Sequence, residues 1–137
     1  MKILVMGLPG SGKTYLTERL QPLLQAAWYN ADKVRDMAND WDFSYKGRLR
    51  QANRMRTFAD FEKSNNRFVI CDFVCPTKST RQNFDADITI WMDAIQEGRF
   101  EDTNKLFEKP QNVEFHITKW NDKNHINIAH DIKSKYV

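Results

Sequence analysis

Eight residues near the start of the chain, Gly7-Leu8-Pro9-Gly10-Ser11-Gly12-Lys13-Thr14, restrict the fold more than any other segment. They match the pattern G-x-x-x-x-G-K-[ST], whose glycines let the backbone turn inward so that successive N–H groups face phosphate oxygens. The pattern works only between a strand and a helix, and both flanks are present. Residues 3–6 are an apolar run of strand length, and residues 13–21 carry Leu16 and Leu20 at i,i+4 spacing with Glu18 and Arg19 between. Pro22 is expected to end or kink that amphipathic helix. In such a loop Lys13 reaches the outer phosphates, Thr14 offers a hydroxyl to Mg²⁺, and the helix adds the positive end of its dipole. ATP and Mg²⁺ are therefore the expected cofactors.

The rest of the chain alternates between strand and helix signals. Residues 27–29 read as a second strand and 31–40 as a short helix interrupted by Asp42-Phe43-Ser44. From 45 to 65 the residues Leu49, Ala52, Met55, Phe58, Ala59 and Glu62 recur at three and four, predicting a long helix with this stripe toward the core and Ser44 as its cap. Arg48, Arg50, Arg54 and Arg56 then point elsewhere, most of them into solvent. Runs at 68–71, 88–92 and 113–118 supply three further strands, the first two ending at Asp72 and Asp93, and 124–135 closes with Ile128, Ile132 and Tyr136 on one helical face. This predicts a three-layer α/β/α sandwich of P-loop NTPase type around a mostly parallel five-stranded sheet, because parallel neighbours need crossover connections. Gly7, Asn30, Asp72 and Asp93 fall just past strands, at the edge where such sheets bind ligands.

A length of 137 residues fits one domain, 1–137, with a polar segment around 97–110 as a short lid-like element. Lys and Arg total 21 against 18 Asp and Glu; a charge of +3 does not by itself imply a nucleic-acid polymer and suits a small anionic ligand. Cys71 and Cys75 have no neighbouring pattern that completes a zinc site, so reduced structural thiols are expected. His116, His125 and His130 are scattered and receive no role. Residues 1–6 run straight into Gly7 and Pro9, which leaves no room for a signal peptide or a membrane span, so a cytoplasmic location is expected.

Three further positions carry chemistry. Asp32 and Arg35 stand three apart after the second strand, one able to orient an attacking hydroxyl and accept its proton or help hold Mg²⁺, the other to grip an anionic group of the acceptor. The plain alternative is a helix cap beside a solvated arginine. Asp72 ends its strand as a metal-holding carboxylate does, or as a turn-forming Asp does. Asp93 is taken as structural.

In this order the segments resemble the adenylylsulfate kinases, which transfer phosphate from ATP to the ribose 3′-hydroxyl of adenosine 5′-phosphosulfate. The loop at 7–14 looks like that family's P-loop. Asn30-Ala31-Asp32-Lys33-Val34-Arg35 aligns with Asp-Gly-Asp-Asn-x-Arg, and Phe43-Ser44 with Arg48 aligns with its Phe-Ser and downstream Arg. Residues 57–61, 68–76 and 107–110 resemble its Leu-Phe-Ala-Asp-Ala, Val-Ile-x-Ser-Phe-Ile-Ser-Pro and Tyr-Glu-x-Pro elements. The resemblance implies ATP contacts from Gly7 through Thr14, extended by Tyr15 and by Arg99 in the lid, with Lys13 and Asp32 catalytic; Thr14 and Asp72 are expected at the metal from their places in the loop and at the strand end. It implies an acceptor site of Asp32, Arg35, Phe43, Arg48, Gln51, Phe73, Val74 and Pro76, with Phe43 stacked on the acceptor's base. Asn30 stands where the family pattern has its first Asp, Asp72 where it has Ser, and Gln51 where it has Asn. The implied partner is a small nucleotide, with no membrane, and a homodimer is compatible with it. Phage-type polynucleotide 5′-kinases offer a second resemblance, through Gly-x-Pro-Gly-Ser-Gly-Lys, Asn-x-x-Asp-x-x-Arg and Asp72; nucleic acid is a partner only under that alternative. A nucleotide-binding module without catalysis is the third reading.

Overall fold

In the computed structural model, which describes residues 1–98 and 100–136, the first strand is buried along its whole length. This strand, β1 (Lys2–Met6), is followed by α1 (Lys13–Leu24), β2 (Ala27–Asn30), α2 (Ala31–Ala38), α3 (Tyr45–Ser64), β3 (Val69–Asp72), α4 (Lys78–Phe84), β4 (Ile88–Met92), α5 (Glu101–Leu106), β5 (Phe115–Ile117) and α6 (Asn124–Tyr136). The sheet runs β2-β3-β1-β4-β5 and its pairings are all parallel. Five strands and alternating helices match the expected sandwich.

The period-two alternation of β1 divides the core. Ile3 and Val5 pack with Leu16, Leu20 and Leu24 of α1 and with Ile128 and Ile132 of α6. Leu4 and Met6 face the other way, toward Val34, Met55, Ala59 and Phe84 of α2, α3 and α4. Burial on both faces explains the near-continuous apolar strands. Among the described residues no helix is long and apolar enough to cross a membrane.

Several local expectations need correction. Pro22 lies inside α1, two residues short of its end, and it is Gln25 in the left-handed region that closes the helix, with N–H bonds to the Gln21 and Pro22 carbonyls. Leu49 is 43% exposed at a cavity wall instead of in the core, and Tyr136 is 41% exposed at the last residue of α6. Three of the α3 arginines are paired rather than freely solvated. Arg50 and Arg54 converge on Asp40 at 2.6 and 2.7 Å, and Arg56 pairs with Asp60 at 3.4 Å. The sequence reading did not anticipate α4 or α5; both are short, and Thr77, which caps α4 through the Thr80 N–H, was its clearest signal.

Register brings the strand ends to one edge. Val5 and Asn30 are both opposite Asp72, and Met6 is opposite Trp91, so the loop after β1 opens beside Asn30 and Asp72.

Candidate active site

The loop between β1 and α1 has the geometry that its glycines predict. Gly7, Gly10 and Gly12 all have positive φ. A Cβ on Gly7 would sit 2.5 Å from the Met92 carbonyl oxygen, and one on Gly12 would sit 2.7 Å from Trp120 Nε1. Lys13 Nζ donates to the carbonyls of Gly7 and Leu8, both at 3.0 Å, and therefore arches over the loop. Trp120 Nε1 donates to the Ser11 carbonyl at 2.9 Å. The sequence reading gave Trp120 no role, since an exposed tryptophan in a linker carries no spacing signal. Ser11 Oγ is fully buried and has no hydrogen-bond partner among the described residues. An inward-turned backbone that tolerates no Cβ, with an unsatisfied hydroxyl inside it, fits a polyphosphate and its cation.

Two cavities meet at this edge. The larger, of about 770 Å³, is lined by Pro9, Gly10, Gly12, Lys13, Thr14 and Tyr15 on one side and by Asn30, Asp32 and Asp72 on the other. Gly7, Leu8 and Ser11 lie behind its wall, buried within the turn. The smaller, of about 230 Å³, contains the whole expected acceptor set: Asp32 and Arg35 from α2, Phe43 from the following linker, Arg48 and Gln51 from α3, and Phe73, Val74 and Pro76 from the loop after β3. Asp32, Phe43, Phe73 and Val74 line both. Thr103 of α5, within residues 97–110, also lines both. Arg99 lies outside the described residues.

Local sequence sets each side chain. Asn30 caps α2, its side-chain oxygen accepting from the Lys33 N–H at 3.0 Å, and this starts the helix so that Asp32 falls in the first turn, where the dipole favours a carboxylate. Asp72 is 2% exposed and accepts from Trp28 Nε1 at 2.6 Å and from the Asn30 amide. Burial raises its pKa above the ordinary carboxylate value, opposed by the Trp28 and Asn30 hydrogen bonds and the Lys13 charge. Gln51 is buried and donates to the Ala31 carbonyl at 3.0 Å, tying α3 to the start of α2. Asp93 sits 2.8 Å from His116 Nε2. Cys71 and Cys75 are free and buried.

The charges of the smaller cavity are unbalanced. Among the described residues Arg35 and Arg48 have no carboxylate within 4 Å. Arg35 donates to the Asp40 and Asp42 carbonyls at 2.9 and 3.3 Å, and Arg48 Nε to the Phe43 carbonyl at 2.9 Å. Burial lowers the Arg35 pKa, partly offset by Asp40, but leaves the guanidinium charged. Two guanidiniums and the single carboxylate of Asp32 therefore face the same space, which suits an anionic ligand with a hydroxyl to be activated.

A family model described as adenylylsulphate kinase matches residues 1–97. A probable adenylyl-sulfate kinase of Aeropyrum pernix is 38% identical over 84 residues, which cover 55% of this chain and 44% of that protein, so the match spans less than half the length of this curated relative. In structure the chain is similar to a hexameric APS kinase from Thiobacillus denitrificans, with a TM-score of 0.78 and 20% identity over 98% of this chain and 29% of the other. It is similar also to the APS kinase of Mycobacterium tuberculosis solved with AMPPNP and APS, with a TM-score of 0.67 and 14% identity over 97% and 95% of the two chains. At these identities the structural likeness establishes a shared fold.

Proposed function

The chain belongs to the adenylylsulphate kinase family, and from that premise we propose that it is an ATP-dependent kinase acting on the ribose 3′-hydroxyl of adenosine 5′-phosphosulfate. The single observation that carries this reading is the sharing of Asp32 between the phosphate-loop cavity and the cavity walled by Arg35 and Arg48. A carboxylate at that junction touches donor and acceptor at once. The loop amides and Lys13 bind and neutralise the triphosphate. Thr14 and Asp72 would hold Mg²⁺, which when bound reduces the charge repelling the nucleophile. Arg35 and Arg48 take the acceptor's phosphosulfate and Phe43 its base, which turns the hydroxyl toward Asp32. Asp32 accepts the hydroxyl proton as that oxygen bonds to the γ-phosphorus and the bond to the bridging oxygen breaks, releasing ADP. Thr103 and the rest of α5 exclude water from the junction.

The direct test is turnover of adenosine 5′-phosphosulfate with Mg-ATP. Asp32→Ala should lower kcat by about 10²- to 10⁴-fold while ATP affinity is retained. Phosphorylation of 5′-hydroxyl ends with no reaction of adenosine 5′-phosphosulfate would replace this reading by the polynucleotide kinase one. ATP binding with no acceptor phosphorylated would leave a binding module.

A further inference from the structure

Residues 39–44 join α2 to α3, and the run Asp40-Trp41-Asp42-Phe43 sorts charges from rings by simple alternation. Asp40 turns inward: its carboxylate accepts from Arg50 Nε and Nη2 at 2.6 and 2.9 Å and pairs with Arg54 at 2.7 Å. Asp42 accepts from the Ser44 N–H at 2.9 Å and from Arg50 at 3.4 Å. Arg35 holds the backbone carbonyls of both aspartates from behind. The first turn of α3 presses on the same segment, since a Cβ on Gly47 would come 2.1 Å from the Asp42 carbonyl oxygen.

With both acidic positions fixed, Trp41 and Phe43 project the other way. They are 47% and 56% exposed, their rings 6.4 Å apart and tilted by 48°. Arg35 covers one face of Phe43 at 4.3 Å. Both rings line the larger cavity, but only Phe43 also lines the smaller. Two large apolar rings held in water are unfavourable, and a linker anchored by three arginines cannot fold them away. A pair of rings tilted in this way suits a planar heterocycle stacked on one ring with its edge against the other.

We propose that Trp41 is a specificity-determining residue that, with Phe43, binds the heterocyclic base of the acceptor where the two cavities meet. The acceptor then spans from its anion at Arg35 and Arg48, past Asp32, to its base at Trp41. This rests on the reading of the acceptor as a nucleotide. Arg50 and Arg54 thus act at a distance from the ligand, as the frame that presents the rings.

The test compares wild type, Trp41→Leu and Trp41→Phe by calorimetry and steady-state kinetics, using adenosine 5′-phosphosulfate and, as a baseless probe, ribose 5-phosphate. Base–aromatic stacking predicts that Trp41→Leu weakens binding and raises KM for the nucleotide by about 5- to 100-fold, a larger change than in kcat or in ATP affinity. Trp41→Phe should restore most of the loss, and ribose 5-phosphate should bind equally to all three. Equal nucleotide affinity in wild type and Trp41→Leu overturns this inference and leaves the proposed function standing. If wild type binds no adenosine 5′-phosphosulfate, the proposed function falls, and this inference with it. An equal loss for nucleotide and ribose 5-phosphate also overturns it, because the effect is then on the fold and not on the base.

Discussion

Asn30 and Asp72 are register partners at the ends of β2 and β3, and the Asn30 amide donates to both oxygens of the Asp72 carboxylate, at 3.0 and 3.2 Å. The amide cannot turn, because its own oxygen accepts from the Lys33 N–H. The family pattern that the sequence resembles has Asp at the first of these places and Ser at the second. Acid and neutral residue are exchanged across one strand pair, and a single carboxylate is retained. Asn30→Asp should therefore lower stability by about 1–3 kcal/mol near neutral pH, since it removes both hydrogen bonds and sets two carboxylates together. Much of that loss should return on acidification, when the pair takes up a proton. The double variant Asn30→Asp, Asp72→Ser should recover activity that either single variant loses. Thermal unfolding at two pH values and kcat/KM of the three variants check this, and a double variant no better than the worse single one would refute the exchange.

Burial raises the pKa of Asp72, against the pull of Trp28, Asn30 and Lys13. The sign for metal binding follows directly. A raised carboxylate pKa means that the ionised form is lost at a higher pH than for an exposed aspartate, so Mg²⁺ affinity should decline as pH falls through that raised value. In the metal-free chain the sign is opposite, because the folded state takes up the proton more readily and gains stability on acidification. Titrating the Mg²⁺ dependence of ATP-induced stabilisation across this range should show a decline that Asp72→Asn abolishes.

The glycine-rich loop and the five strands were legible because each rests on a local pattern: glycines at fixed spacing in one case and apolar runs of strand length in the other. Trp120 and Trp41 were not, because their importance comes from contacts made across the fold, to the Ser11 carbonyl in one case and to the rim of a cavity in the other. The arginines of α3 show the same limit. Spacing spreads them around the helix, but only the tertiary structure brings Arg50 and Arg54 onto Asp40 and leaves Arg48 at the cavity. Leu49 fits the apolar stripe by period and is drawn out of the core by the same cavity.

That division of the arginines makes a contrast within one helix. Arg48→Ala should raise the acceptor KM by about 10- to 100-fold with little effect on ATP, as expected for loss of a charged hydrogen bond to an anion. Arg56→Ala, which removes an exposed pair with Asp60 and a bond to Asn83, should change stability by less than about 1 kcal/mol and leave both KM values alone. Steady-state kinetics with each substrate varied in turn separate the two. Similar KM changes in both variants would mean that the helix acts through its general positive field.

Gly12 has φ of 99° and lies against the ring that braces the loop, with Trp120 Nε1 2.7 Å from where a Cβ would stand. Gly12→Ala therefore incurs two costs at once: about 1–2 kcal/mol for a non-glycine residue in the left-handed region, and displacement of Trp120 from the Ser11 carbonyl. Trp120→Phe isolates the second cost, keeping a ring but removing the donor, and should destabilise the loop by about 0.5–1.5 kcal/mol. If the Trp120 bond holds the loop in its phosphate-binding shape, ATP affinity should fall by about 2- to 10-fold in Trp120→Phe and further in Gly12→Ala, in calorimetric titrations with Mg-ATP. An unchanged ATP affinity in Trp120→Phe would mean that the glycine conformations alone hold the loop, and that the tryptophan only covers it.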